Sequence, residues 1–457
     1  MSSDRAQPRR AARRLVAASL LLALAGCATY RPLPLPAAPG LAPSLAALRH
    51  TGVATDRPLT VADVAYLAVQ NDPVLRAARA RLGVARAEVL AAGVLPNPSL
   101  SAGLTPVIGG PGTTTGWSVG LGADLQALVT LHARRRAARA AAGGVNASLL
   151  WQEWQVIGQA RLLAVDLMEG ARLRRLIDQS RDLLARRYAL TRRAVAEGNA
   201  SLAVISPDLA ALTGIEQQSD ALGRVQQQRR HQLAGLLGLQ PSVPLPLAAT
   251  PDLPPVPASV VRRLLPGIAA RRPDLIALRL GYRAADAKLR AAILAQFPRL
   301  TVGLTGASDT TGVRTLGPQI TLDLPVFDRN QGPIAIARAT RRRLRADYLA
   351  RLDTAVGDVR AMLADTALLR RQLGRARRQL AETRRVADAA GAAFRAGNLT
   401  ERAYVDFVTA RIAKEQEVLG LEQSLAEQQV AMATLIGAGM PTVRLPALER
   451  AATEAGS

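Results

Sequence analysis

The chain has one cysteine, three histidines and an aromatic content of 3%, and each shortage closes off a class of chemistry. Cys27 stands alone, so no internal disulfide can form. His50, His132 and His231 are scattered, and no H-E-x-x-H, G-x-S-x-G or Gly-rich phosphate loop accompanies them. The sequence therefore reads as a non-enzyme, with no catalytic residues, no metal and no bound cofactor. After Ala25 no run reaches the length of about 20 apolar residues that a membrane-crossing helix needs, so any span would have to be a closed β-barrel. Acids are scarce too: 35 Asp and Glu against 59 Lys and Arg leave a formal charge of +24. Such basicity raises nucleic acid as a partner. Few aromatics are available to stack bases, and the arginines recur along helical segments, so most of the charge reads as solvated helix surface and nucleic acid is excluded.

What is present begins with an export signal. Arg5, Arg9, Arg10, Arg13 and Arg14 precede an apolar run from Leu15 to Ala25, too short to span a bilayer, which reads as a signal peptide over residues 1–26. Leu24-Ala25-Gly26-Cys27 resembles a bacterial lipobox, which implies that Cys27 becomes the first mature residue and carries covalent lipid. Ala28 follows in place of the aspartate associated with inner-membrane retention, so the implied address is the periplasmic side of an outer membrane. Residues 27–57, rich in Pro, Ala and Leu from Tyr30 to Pro58, read as a lipidated tether.

The remainder is a duplication. Asn71–Thr105 overlies Arg271–Thr305 without a gap: Pro73 meets Pro273, Leu75 meets Leu275, Pro98 meets Pro298, and Gly103-Leu104-Thr105 meet Gly303-Leu304-Thr305. Farther on, Glu197-Gly198-Asn199 faces Ala396-Gly397-Asn398. The period is too long for a solenoid and predicts one pseudo-symmetric unit built twice, residues 58–250 and 251–440, followed by a flexible tail 441–457. The segments Ala127–Ala196 and Gln331–Ala396 predict very long helices. The second carries sevenfold series through Leu352, Val359, Thr366, Leu373 and Leu380, and through Leu349, Val356 and Leu363. A helix of about 65 residues reaches roughly 100 Å. Each helix breaks at a glycine suited to a left-handed cap, with Ser201 or Thr400 placed to cap the next one. Asp328 and Asn330 are placed to cap the helix beginning near Pro333. Pro98–Ile108, Gly116–Leu125, Pro298–Ala307 and Gln319–Phe327 predict four strands, each about as long as a tilted membrane strand. Four cannot close a useful barrel, whereas three chains would supply twelve. The fold class is mainly α with β: long coiled-coil-like helices plus four strands per chain.

Lipobox, duplicated halves, Arg271-Arg272-Pro273-Asp274-Leu275 and Leu324-Pro325-Val326-Phe327-Asp328 together resemble the TolC family of outer-membrane efflux channels over roughly residues 58–440. That resemblance implies a homotrimer whose twelve-stranded β-barrel continues into an α-helical barrel across the periplasm. It further implies a passive conduit served by a periplasmic adaptor and an inner-membrane pump of resistance-nodulation-division type. Leu95-Pro96-Asn97-Pro98-Ser99-Leu100 and Phe327-Asp328-Arg329-Asn330-Gln331-Gly332 look most like the heavy-metal cation branch, while the Arg-Arg-Pro-Asp-Leu motif also occurs in drug and solvent exporters. By the same resemblance, Gly198, Asn199, Gly397 and Asn398 are the adaptor-contacting tips, and Asp208 and Asp406 are candidates for acidic rings at a periplasmic aperture. A lipoprotein scaffold of long coiled coils without a pore is the competing reading.

Overall fold

The computed structural model describes residues 30–49, 52–112 and 114–437; the predicted signal, Cys27 and the predicted tail lie outside them. Two units separate at Leu41. In the first, residues 30–41 are extended and exposed. In the second, which begins at Ala42, helix, strand, strand and two further helices recur in the same order in each half.

The first half opens on α1 (Val61–Asn71), where Thr60 and Asp63 form a reciprocal capping box. Asp72 accepts from the Leu75 amide at 2.6 Å and Pro73 fills the first position of α2 (Pro73–Ala91), so two sequence signals fix one helix start. Strands β1 (Ser99–Thr105) and β2 (Gly116–Asp124) follow, then α3 (Gln126–Ala196) and α4 (Ile205–Leu236). The second half runs through two short helices, α5 (Ala258–Leu264) and α6 (Ile268–Arg271), into α7 (Pro273–Leu294), β3 (Arg299–Ser308), β4 (Arg314–Asp323), α8 (Gln331–Arg395) and α9 (Glu401–Ile436).

The long helices are held by apolar seams. In the first half Leu163, Val165, Leu167 and Met168 of α3 pack with Leu233 of α4 and Val64 and Leu67 of α1. In the second half both predicted series contribute: Val359 is buried with Ile436 and packed by Val356 and Leu363, and Leu373 and Leu380 are buried with Val418. Leu349, at the start of the second series, is exposed. The Arg-Arg-Pro-Asp-Leu motif is a packing node. Buried Arg272 makes two bonds to Asp274, at 3.0 and 2.7 Å, while its guanidinium lies 4.7 Å from the Trp151 ring of α3; Arg351 of α8 reaches the same carboxylate at 2.7 Å.

The structure modifies several expectations. From Ala42 onward the predicted tether is docked, not extended: Ala42 and Leu239 form a parallel bridge, and Leu48 and Val53 join the core because their apolar side chains find a cleft beside α1. Asn330 takes the N-cap position of α8, but its side chain makes no capping bond. Its backbone is left-handed (φ 59°), which turns the side chain toward the end of α7, where Nδ2 donates to the Ala292 carbonyl at 2.6 Å; Asp328 accepts from the Asn330 amide instead. β4 begins five residues before the predicted Gln319, because Asp309 Oδ1 accepts from the Thr311 and Val313 amides at 2.9 Å and tightens the turn. Pro318 is tolerated within it because β4 is an edge strand.

Candidate functional site

The sheet has the order β1-β2-β3-β4, antiparallel throughout, and among the described residues both outer edges are unpaired. Its registers sort the side chains. Leu100 pairs with Leu121, Leu121 with Leu304 and Leu304 with Pro318, while Ala102–Val119 and Val302–Ile320 extend the same apolar face. On the other face Ser101 pairs with Gly120 and Gly120 with Thr305, beside the pairs Thr301–Thr321 and Gly303–Gln319. Side chains alternate across a strand, so one face is almost wholly Leu, Val, Ile and Ala, and its reverse is Ser, Thr, Gly and Gln. Among the described residues nothing covers the apolar face: Leu104, Leu316 and Ile320 are 78%, 74% and 70% exposed. An uncovered apolar face backed by a small polar one is the dyad pattern of a transmembrane barrel wall. Among the described residues no helix is long and apolar enough to cross a membrane.

At the opposite ends of the long helices lie the two hairpin tips. Gly198 (φ +73°) and Gly397 (φ +76°) both adopt the left-handed conformation. The Asn199 amide reaches back to the Ala194 carbonyl at 2.7 Å, and the Asn398 amide reaches the Ala393 carbonyl at 2.9 Å, giving each tip the same terminating motif. Ser201 and Thr400 then cap the returning segments by accepting from Ala203 and Ala403. All four tip residues, Gly198, Asn199, Gly397 and Asn398, are exposed. No side chain would be crowded by a Cβ at either glycine, so φ alone selects glycine there.

Above the tips the two predicted acids meet around one arginine. Asp208 is fully buried; its Oδ1 lies 2.7 Å from Arg187 of α3 and 3.1 Å from Arg402 of α9, and its Oδ2 accepts from Thr191 at 2.6 Å. Burial pushes the Asp208 carboxyl up, but Thr191, Arg187 and Arg402 together hold it below the ordinary range. Arg187 also pairs with Asp406, whose carboxylate stays exposed. Asp208 is thus consumed by an internal network, and only Asp406 is displayed at the surface of the chain. Sequence reasoning missed Arg187 and Arg402. Arg187 had a signal in symmetry about the tip, since it and Asp208 stand almost equally far from Gly198 on antiparallel helices; Arg402, from the other half, had none.

A second acidic pair, Asp166 of α3 and Glu427 of α9, had no sequence signal. Gln423 Nε2 bridges their carboxylates at 3.1 and 2.8 Å, and Arg229 of α4 pairs with Asp166 at 3.1 Å. Burial, with the Asp166 carboxylate beside it, raises Glu427 to about 7. Among the described residues no group of three or more His, Cys, Asp or Glu is arranged to hold a metal ion.

Residues 264–438 match the family model described as outer membrane efflux protein. Outer membrane protein OprJ of Pseudomonas aeruginosa is 32% identical over 224 residues; the match covers 42% of this chain and 45% of that relative, so the chain spans under half of its length. The solved CmeC outer membrane channel of Campylobacter jejuni superposes with a TM-score of 0.69 over 93% of this chain and 98% of its own, at 14% identity. The open-state MtrE outer membrane channel of Neisseria gonorrhoeae superposes with a TM-score of 0.68 over 90% and 99%, at 18% identity, and CusC with 0.66 over 90% and 100%, at 20%.

Proposed function

We propose that this chain, a TolC-type outer membrane efflux protein by its family match and its fold, is the passive outer-membrane conduit of a tripartite efflux system. The observation that carries the reading is the two-faced sheet with both edges open. Unpaired edge strands and an uncovered apolar face are costly in water, and closure with further copies in a bilayer removes both costs at once. Three copies supply twelve strands, the Ser/Thr/Gly face then lines an aqueous bore, and the long helices carry the bore toward the periplasm. The tips at Gly198-Asn199 and Gly397-Asn398 meet a periplasmic adaptor, which links the channel to an inner-membrane pump of resistance-nodulation-division type. Covalent lipid on Cys27, outside the described residues, tethers each copy to the outer membrane.

The cargo class we infer is heavy-metal cations, from the resemblance at residues 95–100 and 327–332, and the exposed Asp406 suits a cation path. Drug and solvent export is the competing cargo, favoured by the Arg-Arg-Pro-Asp-Leu motif; susceptibility of a deletion strain to metal salts and to organic drugs separates the two. Cryo-electron microscopy of the detergent-extracted protein tests the conduit itself. A threefold tube with a membrane-width β-barrel is the expected result, and a monomer or a barrel-free coiled coil would leave the scaffold reading in its place. Mass spectrometry of the mature N-terminus tests lipid on Cys27.

A further inference from the structure

The charge excess is concentrated where the helices meet the sheet. α3 carries Arg134, Arg135, Arg136 and Arg139, with no acid between Asp124 and Glu153. α8 carries Arg338, Arg341, Arg342, Arg343 and Arg345, with no acid before Asp347. The end of α7 adds Lys288 and Arg290, both exposed, and Asp286 there is shared by Arg290 and Arg341. Among the described residues no acid pairs with Arg136, Arg139, Arg338, Arg342 or Arg345. Crowding is evident as well: the Nε atoms of Arg134 and Arg279 are buried without a hydrogen-bond partner, and burial together with Arg279 and Arg136 holds the Arg283 guanidinium below its ordinary value. Like charges gathered without counter-charges cost stability in the isolated chain, and an anionic partner relieves that cost.

Position identifies the partner. Between the sheet and the arginines lies an uncovered apolar collar: Leu90, Leu95, Phe297, Leu324 and Phe327 are all exposed, Phe327 at 92%. At 1.5 Å per residue, Arg338 to Arg345 stand roughly 10–20 Å along α8 from its first residue, so the order along the molecule is apolar strand face, apolar collar, arginine belt. A lipid leaflet presents hydrocarbon, interface and headgroup phosphate in that order.

We propose that this collar and arginine belt form a docking surface for anionic phospholipids of the periplasmic leaflet, with acyl chains against the collar and headgroup phosphates on the unpaired arginines. The proposal rests on the outer-membrane channel reading for its orientation. Phosphate suits the planar, bidentate donors of arginine, and the strand face continues directly into the collar.

The test uses delipidated full-length protein in dodecyl maltoside, titrated with phosphatidylglycerol or phosphatidylcholine and followed by native mass spectrometry and thermal unfolding. Phosphatidylglycerol is expected to bind more tightly, and 0.5 M salt to weaken it, as screening requires, on the order of a 4 Å Debye length at that salt. Arg338→Gln, Arg342→Gln and Arg345→Gln together are expected to weaken binding about fivefold per arginine, roughly a hundredfold in all. The matching triple Lys variant should retain binding, which separates lost charge from lost folding. Equal binding of the two lipids, or a triple Gln variant that binds as the parent does, overturns the proposal. So does a triple Gln variant that shifts ion selectivity in neutral phosphatidylcholine bilayers while lipid binding is unchanged, for then the arginines face the bore. Conductance of the parent in those neutral bilayers reports on the channel reading alone, so either idea can fail without the other.

Discussion

Arg187 lies 2.7 Å from Asp208 across the first hairpin and also holds Asp406 of α9, so one guanidinium ties the end of the first half to the end of the second. Asp208→Asn removes the shared carboxylate and leaves Arg187 and Arg402 facing each other. Expected consequences are a loss of about 1–3 kcal/mol, as for buried donors left unsatisfied, and looser hairpin ends. Single-channel conductance and protease access near Gly198 and Gly397 would both rise; unchanged values would show that the network does not restrain the tips.

Glu427 gives the helical body an opposite pH response. Its carboxyl is raised to about 7 in the folded chain, so the folded form holds a proton that the unfolded form has released by mid-acid pH. Its contribution is fully present below the ordinary carboxyl range and is lost as pH rises through about 7. The melting temperature should fall across pH 5–8 through this site, and Glu427→Gln should flatten that slope. A slope that persists in the variant assigns it to other groups.

Asp274 behaves in the contrary sense. Burial raises its carboxyl, but Arg272 and Arg351 outweigh burial and hold it low. Its stabilisation is present above the usual carboxylate value and is lost as pH falls through the lowered one. Asp274→Ala strands Arg272, already buried against Trp151, and is expected to cost about 3–5 kcal/mol. Urea titration at neutral pH reads this, and the node would be dispensable if the midpoint did not move.

Gly303 sits in β3 with its missing side chain pointed at the Leu121 carbonyl of β2. Backbone cannot yield as a side-chain end can, so Gly303→Ala forces the two strands apart at an estimated cost of about 1–3 kcal/mol. Heat-sensitive, barrel-like electrophoretic migration should diminish. Gly317→Ala on neighbouring β4, where nothing lies within 4 Å, serves as the tolerant control.

Much of this architecture was legible. The repeat, the long helices and the glycine tips were written locally, because proline-free apolar periodicity and a left-handed glycine need no distant partner to be recognised. Strand ends were less so: β4 starts early through one Asp309 side chain, and Asn330 spends its amide on Ala292 of another helix. The faces of the sheet depended on register, which pairs residues as distant as Leu121 and Leu304. The same limit hid Arg402 beside Asp208 and Glu427 beside Asp166, contacts between the two repeats that no single stretch of sequence announces.

The β2–β3 seam joins strands that stand far apart in the chain. β2 ends at Asp124 and β3 begins at Arg299, so the four-stranded sheet cannot be completed until α3, α4 and α7 have all been made. Until then only the β1–β2 hairpin exists, and a lone two-stranded hairpin is at best marginal in water. The uncovered apolar face is therefore assembled late, after about two thirds of the chain has been made. The chain order thus makes the two-faced sheet a late product of folding.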